Sequence, residues 1–152
     1  MSPNSFTAPI IRSARNEDAE AIATLSAQLG YPVDATTVTR RLGKLLARPE
    51  HAVFVCADDD GNVLGWAAAE HRLTLESGER IELVGLVVDE AMRRHGIGAA
   101  LVTAVEAWCM RRGQDEIFVR SNITREDAHA FYLQLGYEHG KTQHAYRHRL
   151  GA

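Results

Sequence analysis

Apolar residues recur along this chain with two different periods, and the change from one to the other marks out its elements. After a loose end of eight residues, Pro9–Ser13 (PIIRS) reads as a short strand. Asn16 then offers a helix N-cap, with Glu17 and Asp18 in the first turn, where negative charge suits the dipole. Ile22, Leu25 and Leu29 follow at helical spacing, and Gly30 stops the run. Beyond Tyr31-Pro32, the stripe Val38, Leu42, Leu45 and Leu46 predicts a second amphipathic helix, with Pro49 just past its end.

From there the pattern turns β-like. Ala52–Ala57 (AVFVCA) and Val63–Leu73 flank the turn Asp58–Asn62, which predicts a hairpin. That acidic turn is no calcium loop. With Gly61 at the glycine position, the first and last ligands would be Cys56 and Ala67, and neither can serve. Ile81–Val88 (IELVGLVV) is nearly continuous in apolar residues, as expected of a strand buried on both faces, and Gly85 inside it points to a bulge or a close backbone approach. The loop Asp89–Gly96 leads into a helix over Gly98–Arg112, whose buried stripe is Leu101, Val105, Trp108 and Cys109 and whose stop is Gly113. Ile117–Val119 follows as a strand, so this stretch predicts a parallel βαβ unit with a right-handed crossover. Thr124 with Asp127 resembles a capping box for a last helix ending at Gly136. Tyr137–Lys141 and His144–Leu150 read as closing antiparallel strands. The expected fold is α/β: a mixed, mostly antiparallel sheet with a central parallel βαβ unit and helices on both faces.

Composition narrows the function. A chain of 152 residues with 45% hydrophobic and 24% charged residues is globular, and residues 1–152 are expected to form a single domain. Twenty acidic against seventeen basic residues leave a formal charge of −3, so no basic excess points to nucleic acid or an anionic membrane. Apolar runs such as Leu83–Val88 fall far short of the roughly 20 residues that span a bilayer. The N-terminal sequence shows no signal-peptide pattern, and Cys56 and Cys109 make no disulfide framework; both point to a cytoplasmic protein. Each cysteine sits in an apolar stretch with no local basic partner expected to lower its pKa, which fits packing better than nucleophilic catalysis. His144 and His148 share a strand face but stand too far apart to chelate one ion, so no metal is expected.

The segment richest in chemistry is Arg93, Arg94, His95, Gly96, Ile97, Gly98, Ala99, Ala100 and Leu101. Two glycines at a helix entrance let backbone N–H groups converge on one point, where the helix dipole already favours an anion. Arg93 and Arg94, and His95 when protonated, add positive charge for a phosphate or diphosphate. A tight strand-to-helix turn that needs glycine for its backbone alone is the other reading. A Walker loop is excluded because Ile97-Gly98-Ala99 stands where Gly-Lys-Ser/Thr is required. A dinucleotide fingerprint fails because Leu101 holds the third glycine's place and the turn comes late in the chain.

Arg93, Gly96 and Gly98 match Q/R-x-x-G-x-G/A, and the segment resembles the coenzyme A signature of the GCN5-related N-acetyltransferases, the GNAT family. Leu86, Val87 and Val88 resemble the strand on which that family lays the pantetheine arm. Asn122, Ala128, Phe131-Tyr132 and Gly136-Tyr137 resemble its later N…A..FY…GY/F pattern, so the likeness covers nearly the whole chain. The resemblance implies acetyl-CoA as cosubstrate and direct transfer of the acetyl group to a primary amine. It implies a diphosphate on the turn Arg93–Ala99 and a polar contact from Asn122. Backbone N–H groups near Val88 would steady negative charge on the thioester oxygen.

Glu82 lies where several members of the family place a carboxylate base, needed because an aliphatic amine near pKa 10 is mostly protonated at neutral pH. Strict alternation puts Glu82, Val84, Leu86 and Val88 on one strand face, a register that a bulge at Gly85 would alter. Glu82 pairing with Arg80 or Arg120 is the structural alternative. Tyr132 matches the tyrosine that stands near the sulfur and donates a proton to it; packing the last helix is its alternative. The end segment resembles members that modify free small-molecule amines, with aminoglycoside-type or aminoalkylphosphonate-type acceptors among them. Protein or peptide amines stay open as substrates, a non-catalytic module that senses acyl-CoA is the reading from another class, and a homodimer stays open.

Overall fold

The computed structural model describes residues 9–120 and 126–151, without the side chains of residues 126 and 127. Its contacts divide the chain into two compact units, Met1–Val119 and Arg120–Ala152. Among its described residues the first unit holds five strands in the order β1 (Ile10–Ser13), β2 (His51–Ala57), β3 (Val63–Thr74), β4 (Gly78–Val88) and β5 (Ile117–Val119). Neighbours are antiparallel except β4 and β5, which pair in parallel across the intervening helix and make the expected βαβ unit.

Between β1 and β2 lie a 3₁₀ turn (Asn16–Asp18), α1 (Ala19–Gln28) and α2 (Ala35–Leu46). The helix begins later than expected, and Asn16 is not its cap. Asp18 organises the entrance instead: its buried carboxylate accepts the Arg15 amide at 2.7 Å and both ends of the Arg12 guanidinium at 2.8 Å. This bidentate pair ties the turn to β1 and holds the Asp18 carboxyl below the usual carboxylate range, chiefly through the Arg12 hydrogen bond. Asp34 caps α2 by accepting the Thr37 amide at 2.7 Å. Val38 and Leu42 of the α2 stripe are buried, whereas Leu46 is exposed.

Alternation along β2 and β3 sorts the sheet into two faces. Val53 and Val55 pack with Ala19, Ile22, Ala23, Val38 and Leu42, and their cross-strand partners Ala68 and Trp66 join the same cluster. The opposite pleat faces α3 (Ile97–Arg111), which lies across β2, β3 and β4 and buries Ile97, Leu101, Val102, Val105 and Cys109. Helices therefore cover both faces, as the sequence predicts. The acidic turn between β2 and β3 is closed by its own groups, with Asp58 accepting the amides of Asp60 at 3.0 Å and Asn62 at 2.9 Å.

β4 contains the irregularity that Gly85 signals. Ala68 pairs with Gly85 but Ala69 pairs with Leu83, so Val84 is an extra residue with no partner of its own. This corrects the strict alternation. Leu86 and Val88 pair with Ala67 and Gly65 on the α3 face, whereas Glu82 pairs with Glu70 on the face of Trp66 and Ala68. The bulge is what separates Glu82 from Leu86 and Val88.

The second unit contains α4 (Glu126–Gln134), which ends at Gly136 in a left-handed conformation (φ 91°). The Tyr137 amide returns to the Tyr132 carbonyl at 3.0 Å, closing the helix end as glycine there allows. Thr124, and with it the capping box, lies outside the described residues. The expected strands Tyr137–Lys141 and His144–Leu150 are not formed: no described residue after α4 joins a ladder. Tyr146 and Leu150, which a strand would bury, are exposed, so neither gains from burial what an edge ladder needs. No helix among the described residues is long and apolar enough to cross a membrane.

Candidate active site

In the first unit, the predicted binding residues come together in chain order at the end of β4 and the start of α3. Among the described residues, β5 pairs along β4 with Ile81, Glu82 and Leu83. From Val84 to Val88, β4 has no ladder partner on that side among the described residues, leaving main-chain groups open along Leu86, Val87 and Val88. The Asp89 amide then bonds the Leu64 carbonyl at 2.8 Å, pinning the strand end to β3. A 3₁₀ turn (Glu90–Met92) follows, capped by Asp89, whose side chain accepts the Ala91 amide at 3.0 Å. Gln28 at the end of α1 accepts the Glu90 amide at 3.0 Å and anchors the turn from the other side.

Arg94 (φ 69°) and Gly96 (φ 78°) both take left-handed conformations. For Arg94 this is an uncommon state, and for Gly96 it is the backbone freedom its position requires. Together they swing the chain into α3. Gly96 is the N-cap and has no side chain to cap with; the helical ladder begins only with the Ala100 amide on the Gly96 carbonyl at 3.0 Å. The amides of Ile97, Gly98 and Ala99 precede that ladder and stand at the positive end of a 15-residue helix. Arg93, Arg94 and His95 are exposed around them, while Ile97 is buried and seats the helix on the sheet. Main-chain donors, dipole and cations meet at one place, as binding a diphosphate requires.

Glu82 is buried. On the sheet, Arg72 of β3 places Nη1 3.5 Å from each of its carboxylate oxygens. Arg72 Nε also stands 3.6 Å from Glu70, the residue directly opposite Glu82. Two carboxylates facing each other across a ladder repel, and Arg72 offsets that repulsion. Arg80 instead lies over the Phe118 ring, 3.5 Å from its centroid. The sequence reading missed Glu70 and Arg72. Their spacing of two residues on β3 was visible, but the match to Glu82 depends on the hairpin register.

Tyr132 belongs to α4, where its ring meets Phe131 edge-on at 5.1 Å and Tyr137 at 5.8 Å between centroids. Asn122 lies outside the described residues. Cys56 and Cys109 are buried, and burial pushes both thiols up from their ordinary value, which keeps them protonated and poorly nucleophilic. Among the described residues, no three metal-capable side chains stand together.

A family model described as Acetyltransferase (GNAT) family matches residues 14–137. The chain is 34% identical over 136 residues to an aminoglycoside N(6')-acetyltransferase type 1 of Stenotrophomonas maltophilia, covering 87% of this chain and 88% of the relative. It is 29% identical over 140 residues to an aminoglycoside N(6')-acetyltransferase type 1 of Klebsiella aerogenes, covering 86% and 90%. Among solved structures, the aminoglycoside N-acetyltransferase AAC(6')-Iy in complex with CoA superposes with a TM-score of 0.87 at 22% identity, over 99% of this chain and all of that one (100%).

Proposed function

Since this chain belongs to the GNAT acetyltransferase family and is an acetyl-CoA-dependent N-acetyltransferase, we propose that its acceptor is a small-molecule primary amine, first of all an amino sugar of the aminoglycoside type. The observation that carries this reading is the end-to-end match, 34% identical over 87% of the chain, to a relative named for that substrate class. The two units act as one N-acetyltransferase domain, which the family match across residues 14–137 supports because it runs through both. A cytoplasmic setting fits the two free cysteines, both of them buried.

In this reading the amides of Ile97, Gly98 and Ala99, entered through Gly96, hold the diphosphate, Arg93 and Arg94 add positive charge, and His95 adds a ring N–H donor. The open donors and exposed cations there fit such a group. Leu86, Val87 and Val88 offer main-chain groups to the pantetheine arm, and Asn122 adds a polar contact. When bound, acetyl-CoA supplies the acetyl thioester. Glu82 receives the proton that the acceptor ammonium must lose, and Arg72 offsets its buried charge. Tyr132, a phenol near pKa 10 in its ordinary state, gives its proton to the departing sulfur.

The test follows thiol release from acetyl-CoA with amino sugars, aminoalkylphosphonates and peptide amines as acceptors. Turnover of amino sugars supports the proposal. Turnover of peptide amines alone overturns the small-molecule reading, and binding without thiol release from any acceptor favours a sensing module.

A further inference from the structure

Gly65 lies on β3, on the pleat that faces α3, paired with Cys56 on one side and Val88 on the other. It is absent from the glycines with positive φ, so its backbone does not demand glycine. Its surroundings do. A Cβ at this position would stand 2.9 Å from the Val87 carbonyl oxygen, 3.2 Å from Ile97 Cγ2 and 3.2 Å from Leu101 Cδ1. Ordinary carbon–carbon contacts are about 3.5–4.0 Å, so the shortfall is a few tenths of an ångström at each carbon. None of the three neighbours retreats easily. The Val87 oxygen is strand backbone, and Ile97 and Leu101 are only 2% and 0% exposed. The first turn of α3, or the end of β4, has to move as a body.

Those two bodies are the two halves of the proposed cofactor site. Ile97 is the first residue of α3, and its own amide is among those that precede the helical ladder. Val87 belongs to the strand segment proposed to carry the pantetheine arm. We propose that Gly65 is a positioning residue for the diphosphate: its missing side chain lets α3 sit at the depth that aims the amides of Ile97, Gly98 and Ala99 at the ligand. This rests on the reading that a diphosphate binds at the mouth of α3.

Calorimetry compares CoA with pantetheine, which has the same thiol arm and no diphosphate, on the wild type, Gly65→Ala and Ile97→Ala. Neither titration needs an amine acceptor. The wild type binds CoA far more tightly. By turning amide donors off the diphosphate, Gly65→Ala weakens CoA binding about tenfold, the low end of what one hydrogen bond to a charged group is worth. Pantetheine, which meets only the Val87 end of the disturbance, loses a smaller factor than CoA does. Ile97→Ala loosens the same seat from the helix side and lowers the CoA-to-pantetheine ratio in the same direction, which keeps the test open if Gly65→Ala folds poorly. Equal losses for both ligands assign Gly65 to general packing and overturn the proposal, as does an unchanged ratio in both variants. A wild-type ratio near one overturns the diphosphate reading itself, a failure distinguishable from that of Gly65.

Discussion

The bulge in β4 yields a prediction that can be worked through from distances. A Cβ added at Gly85 would stand 2.7 Å from Cζ3 and 2.8 Å from Cη2 of Trp66. Both approaches are about 1 Å inside ordinary contact. The indole is a rigid plate packed against the cluster of Val53, Val55, Val38 and Leu42, so it cannot yield by turning a flexible tip. Overpacking costs about 1–3 kcal/mol, and two approaches below 3.0 Å to a rigid ring put this one in the upper part of that range, about 2–3 kcal/mol. Alanine in place of glycine in a strand recovers about 0.5–1 kcal/mol of backbone entropy. Gly85→Ala is therefore expected to lose roughly 1–2 kcal/mol net. With a urea m-value of about 2 kcal/mol/M, the midpoint falls by about 0.5–1 M at unchanged slope. The paired control is Trp66→Leu, which removes the plate. In that background Gly85→Ala should be neutral or stabilising, so a double-mutant cycle isolates the contact. A midpoint that is unchanged or raised in the single Gly85→Ala variant refutes the close approach as the reason for glycine.

Glu82→Gln and Tyr132→Phe should each lower kcat by about 10²–10⁴-fold, the usual worth of general acid–base groups, while CoA affinity by calorimetry changes little; wild-type kcat in either variant removes that residue from the chemistry. Asp18, held below its ordinary value mainly by Arg12, stabilises the fold fully above its unfolded value near pH 4. That stability is lost as pH falls through the lower, folded value. Asp18→Ala should cost about 1.5–3 kcal/mol at neutral pH, the range for hydrogen bonds to a charged group, and should flatten the acid limb of stability measured by urea midpoints. Parallel acid limbs in wild type and variant would show that the Arg12–Asp18 pair is not responsible.

Several elements of this protein are legible without coordinates, because periodic burial is a local property of the chain. Val38 and Leu42, four apart, and the stripe Leu101, Val105 and Cys109 announce α2 and α3 by their spacing. Strand, glycine-bearing turn, helix and strand from Ile81 to Val119 announce the parallel pair. The glycines and cations of Arg93–Ala99 announce open amides at a helix mouth, since that chemistry is written in adjacent residues.

Contacts between distant positions depended on the tertiary structure, because they hinge on register and packing depth. One extra residue at Val84 moves Glu82 to the face opposite Leu86 and Val88, and only the pairing with β3 reveals the count. The same pairing brings Glu70 and Arg72 to Glu82, a meeting that sequence spacing alone does not show. Asp18 read as a dipole partner of its own helix, yet its carboxylate is held by Arg12 on a strand. Tyr137–Lys141 and His144–Leu150 read as closing strands, but a strand is stable only beside a partner that completes its hydrogen bonds and covers its apolar side. Gly65 looked like any glycine in a strand until α3 was laid upon it. The order of residues thus determined which segments could be helix, strand or anion-binding turn, whereas folding in three dimensions decided which side chains meet, since a shift of one residue reverses a strand's faces.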